Sequence, residues 1–321
     1  MVTKYGQKIS LNAKSFRVFW VAGVNISLLA ECTSLIFPQY FLLLATSANF
    51  IKLTSLASAN LSRTIILNNF SVSQNVSDIT NKYSLQQNIA IFIGNVLGFG
   101  LSIIIPHTFG YTFSLIGLLA ILNLKISINS LKFVKLIDLN FQRTVLICLE
   151  YINSGNKKIL SPQEMVQREK IIFRKFKGLK FCYCSPEIIL KSEKLGYIIR
   201  IIDIFKEKNF IVYVKKKKFL GFIGSRKCKI YTFLKVNADN NDIFLAFLLS
   251  VKIDLMLYNS KKNPFGLNYK DISAIIEEAN IWLDEIDKKF LFNEMKNIGW
   301  NMNFSCLEEK FYRYHMLIKS V

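Results

Sequence analysis

From Tyr83 to Leu124 the chain runs for 42 residues without one Asp, Glu, Lys or Arg. Charged residues cover most of the surface of a water-soluble body, so a gap of this length points to an apolar solvent. A bilayer core about 30 Å thick needs roughly 20 apolar residues at a rise of 1.5 Å each. The gap is broken once, at Pro106-His107-Thr108-Phe109-Gly110, which predicts a hairpin of two membrane helices, Asn88 to Pro106 and Tyr111 to Leu131. Upstream, Val18 to Phe37 holds one charge, Glu31, and Tyr40 to Ala59 holds one, Lys52, with Pro38-Gln39 between them. A lone charge near a span centre costs about 2.5 to 3.5 kcal/mol. Stretches this apolar still insert, with each charge placed inward against another helix.

Acids divide the chain: before Asp138 only Glu31 and Asp78 occur. The predicted fold class is therefore mainly α, with a membrane-embedded helical part of about four spans over 1–136. A smaller basic α+β globular domain follows over 137–321. Composition agrees, with 51% apolar residues and a mean hydropathy of +0.29, high for one soluble body. The net charge of +20 would suit nucleic acid, but abundant Lys, Asn, Ile and Phe beside few Gly and Pro is also what an AT-rich genome writes. Nucleic acid is accordingly not expected as a partner; the bilayer is. Lys4, Lys8, Lys14 and Arg17 precede the first span, Arg63 and Lys82 lie in the 60–87 connection, and Lys132, Lys135 and Arg143 follow the fourth. The positive-inside rule then puts both termini on one side, the cytosolic or equivalent side. The basic amino terminus runs into a long apolar stretch with no small-residue cleavage site, which predicts a first span and not a cleaved signal.

In the second part, Leu139 to Asn153 reads as a helix stopped by Ser154-Gly155-Asn156. Asn209 to Val214, Phe219 to Ile223 and Lys229 to Val236 read as strands of a small antiparallel sheet, with Lys215 to Lys218 as a solvated turn. Asp239 to Tyr258 and Tyr269 to Asn297 show helical spacing. Six cysteines lack paired spacing and suit a reducing compartment. Cys182-x-Cys184 lacks the second half of a zinc site, and His107 and His315 are the only histidines. Neither a metal, a cofactor nor a nucleophile elbow is implied, and the chain reads as non-enzymatic.

The candidate polar or binding residues cluster in the connection between the second and third spans: Arg63, Asn75, Asp78, Lys82 and Gln86, with Glu31 inside the first span. Arg63, Asp78 and Lys82 suit either a charge network that clasps two helix ends or the mouth of a polar pathway. Glu31 suits either a buried proton or cation site or a satisfied packing group. Gly94 and Gly98 have the small-residue spacing that admits a neighbouring helix.

Taken in order, these residues resemble the root UVB sensitive family. Lys14-Ser-Phe-Arg17 is similar to that family's Lys-x-Trp-Arg motif, followed by Glu31, Ser34, Phe37 and Pro38. Ala59-Asn-Leu-Ser-Arg63-Thr64 resembles its Gly-Ala-Thr-Arg helix, and Phe70, Asn75, Asp78, Thr80, Lys82 and Gln86 fall where its Phe-Ala, Asn-x-x-Asp-Val-x-x-Lys and Gln positions fall. Leu139-Asn140-x-x-Arg143, Gly155, Ser161-Pro162, Asp242 and Gly299-Trp300 continue the likeness. Val21 and Asn25 stand where the family usually has acids, and the segment ahead of the opening motif is missing, so a reduced member is expected. The resemblance implies links to plastids, early development, light stress and vitamin B6 balance, in an intracellular membrane. It implies no reaction.

Two functions follow as expectations. One is a carrier-like subunit in small-molecule homeostasis, which with four spans needs a homo- or hetero-oligomer with another membrane protein. The other is a membrane-anchored protein that recruits a partner through its second domain. A soluble enzyme with a buried helical core is the third, minor reading.

Overall fold

The computed structural model describes residues 12–71, 75–106, 108–171, 181–182, 195–216, 228–260, 268–302 and 313–314. The chain divides into two compact units, Met1–Leu136 with Lys170–Phe173, and Ile137–Glu169 with Arg174–Val321. The described residues are mainly helical, as the sequence predicts.

The first unit is four helices: α1 (Ala13–Thr33), α2 (Phe41–Phe70), α3 (Val76–Ile104) and α4 (Phe109–Leu131). All four are long and apolar enough to cross a membrane. Prolines punctuate them. Pro38 opens a 3-10 turn, Pro38–Tyr40, that leads directly into α2, and Ile105 is extended ahead of Pro106, as a pre-proline residue prefers, which ends α3. The connection predicted over 60–87 is mostly helix, since α2 runs on to Phe70 and α3 begins at Val76. Hydropathy marks where a helix stops being apolar, not where it stops being a helix. The polar residues of that extension bond back onto their own turn, Thr64 Oγ1 to the Asn60 carbonyl and Asn69 Nδ2 to the Ile65 carbonyl.

α1 packs along α2 and against α4. Gly23 permits this, for a Cβ there would lie 2.2 Å from Ser55 Oγ. Asn25 ties α1 to α4 by donating to the Ala120 carbonyl at 3.1 Å and accepting from Asn123 Nδ2 at 3.3 Å. α3 buries none of its residues.

The second unit contains α5 (Phe141–Asn153), α6 (Pro162–Arg168), β1 (Phe181–Cys182), α7 (Leu195–Ile204), β2 (Phe210–Lys216), β3 (Cys228–Lys235), α8 (Asn240–Asn259), α9 (Tyr269–Glu285), α10 (Lys288–Asn297) and β4 (Arg313–Tyr314). Its core is α8, buried on all sides from Ile243 to Val251, which is how a helix apolar around its whole circumference is accommodated. α8 packs on β2, β3, α5 and α9. β2 and β3 pair antiparallel, Phe210 opposite Leu234. The short strands β1 and β4 pair parallel to β3, so the sheet is mixed where an antiparallel one was expected. The predicted strand Phe219 to Ile223 and the second half of the lysine turn lie outside the described residues; Lys215 and Lys216 belong to β2.

The helix predicted over 269–297 is two. Ile286 is extended and Asp287 accepts from the Phe290 N–H, capping α10. A helical apolar period continues across a break of this size, and an Asp cap was the available signal. Gly155 and Asn156, at φ 68° and 66°, stop α5, as a left-handed C-terminus does.

Two carboxylates give this unit an acid limit. Backbone donation from Ser161 and the Lys158 ammonium hold Glu164 below its ordinary value of 4.5. Burial pushes Asp284 up, but Lys208 and Lys288 outweigh it and hold the group below 3.8. Carboxylates depressed by folding contribute stability above their unfolded values and lose it as pH falls through their folded ones. The melting temperature should therefore fall as pH drops through about 4 to 3. Glu164→Gln, melted over the same series, should show a shallower fall.

Candidate functional site

Glu31 sits in the last turns of α1 and does not stand alone. Lys52 of α2 meets it, Nζ lying 3.2 Å from Oε1 and 3.5 Å from Oε2. The two isolated span charges are therefore one another's partners, a pairing that spacing in the sequence does not reveal. In an apolar surrounding such a pair removes most of the insertion cost that each charge carries alone.

At the other end of the hairpin lie Arg63 and the residues that follow it. Asp78 and Lys82 form an ion pair at 2.8 Å, one turn apart on α3, both exposed. Arg63 does not join them. Its guanidinium lies 4.9 Å from the centre of the Tyr83 ring, a cation–π contact that ties α2 to α3. Asn75 precedes α3 as its N-cap residue, its carbonyl accepting from Ile79 N–H. Gln86 is exposed one turn beyond Lys82. The predicted polar residues are thus gathered at the α2–α3 turn as two separate contacts, Arg63 with Tyr83 and Asp78 with Lys82. Nothing in the sequence marks Tyr83 as a partner of Arg63, for it is an aromatic at the edge of an apolar run.

Gly94 and Gly98 lie on α3, where a Cβ at either would meet nothing within 4 Å. Any helix they admit is not one of the described helices of this chain. Gly23 is the glycine that brings two of them close, and its small partner at the same spacing is Ser27, a pattern less conspicuous than two glycines.

In the second unit the residues that carried the resemblance are architectural. Asn140 accepts from the Arg143 N–H at 2.8 Å and caps α5. The Arg143 side chain, 2% exposed, pairs with Glu169, 6% exposed, at 2.7 Å and donates to the Asp138 carbonyl at 2.6 Å. Ser161 and Glu164 close a capping box on α6, with Pro162 at its first position. Gly299, at φ 97°, turns the chain so that Trp300 enters the core and donates Nε1 to the Leu160 carbonyl at 2.8 Å. Asp242 caps α8 with Asp239 and accepts from Asn209 Nδ2 at 2.9 Å.

Among the described residues no group of three His, Cys, Asp or Glu could hold a metal ion. A cleft of about 210 Å³ borders Lys208, Asn209, Asp242 and Lys288. Burial pulls the Lys208 ammonium below its ordinary value while Asp284, at 2.9 Å, opposes the shift. That arrangement keeps the lysine engaged in an ion pair.

The class defined by these features is a helical protein with four membrane-length helices and a separate α+β unit. Sequence comparison adds what such a chain is similar to. Residues 1–155 match the vitamin B6 photo-protection and homoeostasis domain. The chain is 25% identical over 276 residues to root UVB sensitive 6 of Arabidopsis thaliana, covering 84% of this chain and 52% of that protein. It is 21% identical over 299 residues to root UVB sensitive 3 of the same plant, covering 92% of this chain and 64% of the relative. Root UVB sensitive 5 is also 21% identical, over 326 residues, with 95% and 58% covered. The resemblance read from the motifs is therefore shown: the chain is similar to the root UVB sensitive proteins. It spans between about half and two thirds of the length of these relatives. No solved structure gives a significant match.

Proposed function

We propose that the chain is an integral membrane protein with a carrier-like role in small-molecule homeostasis linked to vitamin B6, working as an oligomer in an intracellular membrane, a plastid membrane where plastids exist. The observation that carries this reading is the distribution of surfaces in the first unit. Its four membrane-length helices turn large apolar side chains outward, Phe92 at 69% and Ile104 at 78% exposed among them, while the span charges Glu31 and Lys52 turn toward each other. Water penalises the first feature and a bilayer explains both.

Four crossings return the chain to the side from which α1 starts, and the Lys and Arg positions favour the cytosolic or stromal side for that end. The α2–α3 turn, with Arg63, Asn75, Asp78, Lys82 and Gln86, then lies at the same surface. Four helices are few for a complete carrier. The exposed Gly94 and Gly98 face of α3 suits a helix of another membrane subunit or a second copy. The vitamin B6 link is supported by the description of the matching domain.

Alkaline carbonate extraction of cell membranes tests the reading. The full-length chain should stay in the pellet with integral markers. Release into the supernatant with peripheral markers would remove the membrane assignment. Substituting Glu31, Asp78 or Lys82 should then impair the carrier activity; a protein that acts only by recruiting a partner through its second unit would be unaffected.

A further inference from the structure

Where α1 begins and α2 ends, three nitrogen donors are left short of acceptors. Trp20 is 5% exposed, and its indole Nε1, which can only donate, is buried without a hydrogen-bond partner. Arg63 Nε is buried in the same condition. Arg17 reaches only the Ala59 carbonyl, at 3.5 Å, and that oxygen already accepts the Ser62 hydroxyl at 3.0 Å. Helix spacing and the α1–α2 register bring the three near one another. Arg17 and Trp20 lie three apart on α1, and Ala59 and Arg63 four apart on α2, so each pair shares a helix face. The Arg17–Ala59 contact, with Gly23 held against Ser55, sets the register between the helices. The groups therefore fall within about one or two helical turns of one another.

Charge sharpens the imbalance. Only two acids precede Asp138, and both are engaged elsewhere, Glu31 with Lys52 and Asp78 with Lys82. The first unit thus holds two arginines for which it has no carboxylate. Buried donors without acceptors are costly and are rarely left so. What would satisfy them is a ligand that is anionic and accepts only.

We propose that Arg17, Trp20 and Arg63 form a site for a phosphate group. A carboxylate has two oxygens, both consumed by one guanidinium fork. A phosphate has enough to meet two forks and the indole N–H together, and its charge balances both arginines. Tyr83 holds the Arg63 guanidinium plane from one side. The phosphate could belong to a lipid headgroup, since the site is at the ends of membrane-length helices, or to a free phosphate or phosphate ester. The inference deepens the reading above by naming a ligand chemistry, and it rests on that reading only for the choice between these sources.

The test uses the full chain in uncharged detergent micelles, titrated by calorimetry with inorganic phosphate and, separately, with phosphatidic acid added to the micelles. Saturable binding of at least one probe is expected. Arg17→Gln and Arg63→Gln should each weaken it by about tenfold or more, and Trp20→Phe, which removes only the N–H, by about threefold. Arg63→Lys, which keeps the charge and loses the fork, should fall between wild type and Arg63→Gln. Gln39→Ala, in the Pro38–Tyr40 turn at the opposite end of the α1–α2 hairpin, should bind as wild type does. Each variant is first matched to wild type in helicity and elution volume. Binding of phosphatidic acid alone assigns the site to a headgroup; binding of inorganic phosphate assigns it to a soluble ligand. No saturable binding of either probe, or binding unchanged in both arginine variants, overturns the proposal. Carbonate release of the chain would remove the membrane reading while leaving phosphate binding to stand or fall by itself.

Discussion

Replacing Arg143 with Met should destabilise the second unit by about 3 to 5 kcal/mol, because the Glu169 carboxylate loses the cation that accompanies it in the interior. Both groups are nearly sealed from water, at 2% and 6% exposure, and they meet at 2.7 Å. A pair of this kind need not stabilise the fold relative to two apolar residues, since desolvating both ions offsets much of their attraction. Removing one partner is different, for it leaves a charge in a place that water cannot reach. Arg143 also donates to the Asp138 carbonyl at 2.6 Å, so the substitution orphans a backbone acceptor at the start of α5. A domain is typically stable by only about 5 to 15 kcal/mol, and a loss of this size takes a large share. Thermal unfolding of the full chain should show it. Amide exchange within Phe141–Asn153 should rise in step, which localises the effect. The double variant Arg143→Met with Glu169→Leu should recover most of the loss; if it is no more stable than Arg143→Met alone, the unpaired carboxylate is not the cause.

The same residue shows why parts of this fold could be read in the sequence and others not. Asn140 and Arg143 stand at the cap and in the first turn of a helix, and their local roles follow from spacing. That Arg143 is answered by Glu169, across the intervening helix and turns, follows only from the tertiary structure. The span charges repeat the lesson. Glu31 and Lys52 each looked isolated along the chain because partners on antiparallel helices have no fixed separation in number. Gly94 and Gly98 drew attention through their spacing, yet Gly23 makes the close approach within the chain, because closeness depends on the residue opposite, here Ser55. Composition gave the apolar lengths of four helices and missed the polar extension of α2 to Phe70, since hydropathy responds to solvent and not to hydrogen bonding. The split at Ile286 was hidden for a related reason. Apolar periodicity belongs to a face, and two helices in succession can share one.

The Glu31–Lys52 pair offers a measurement whose size identifies its surroundings. In water an ion pair with side chains about one-third exposed, as these are, is worth about 0 to 1 kcal/mol. If the exposed flanks of α1 and α2 meet lipid, Lys52→Met leaves Glu31 unpaired within a span, at a cost of about 2.5 to 3.5 kcal/mol unless the carboxyl takes up a proton. Glu31→Gln alone leaves the ammonium in the same position. The double variant has neither charge and should approach wild-type stability. A thermodynamic cycle of wild type, both single variants and the double, measured by unfolding in bilayer nanodiscs, should therefore give a coupling of about 2 kcal/mol or more. The carbonate-resistant fraction should fall in each single variant and return in the double. Coupling of 1 kcal/mol or less in the same cycle would mean that water reaches the pair. The α1–α2 hairpin would then border an aqueous cavity at that depth. Because a carrier needs such a cavity and a passive anchor does not, this outcome would favour a polar pathway past Glu31 over a purely structural pairing.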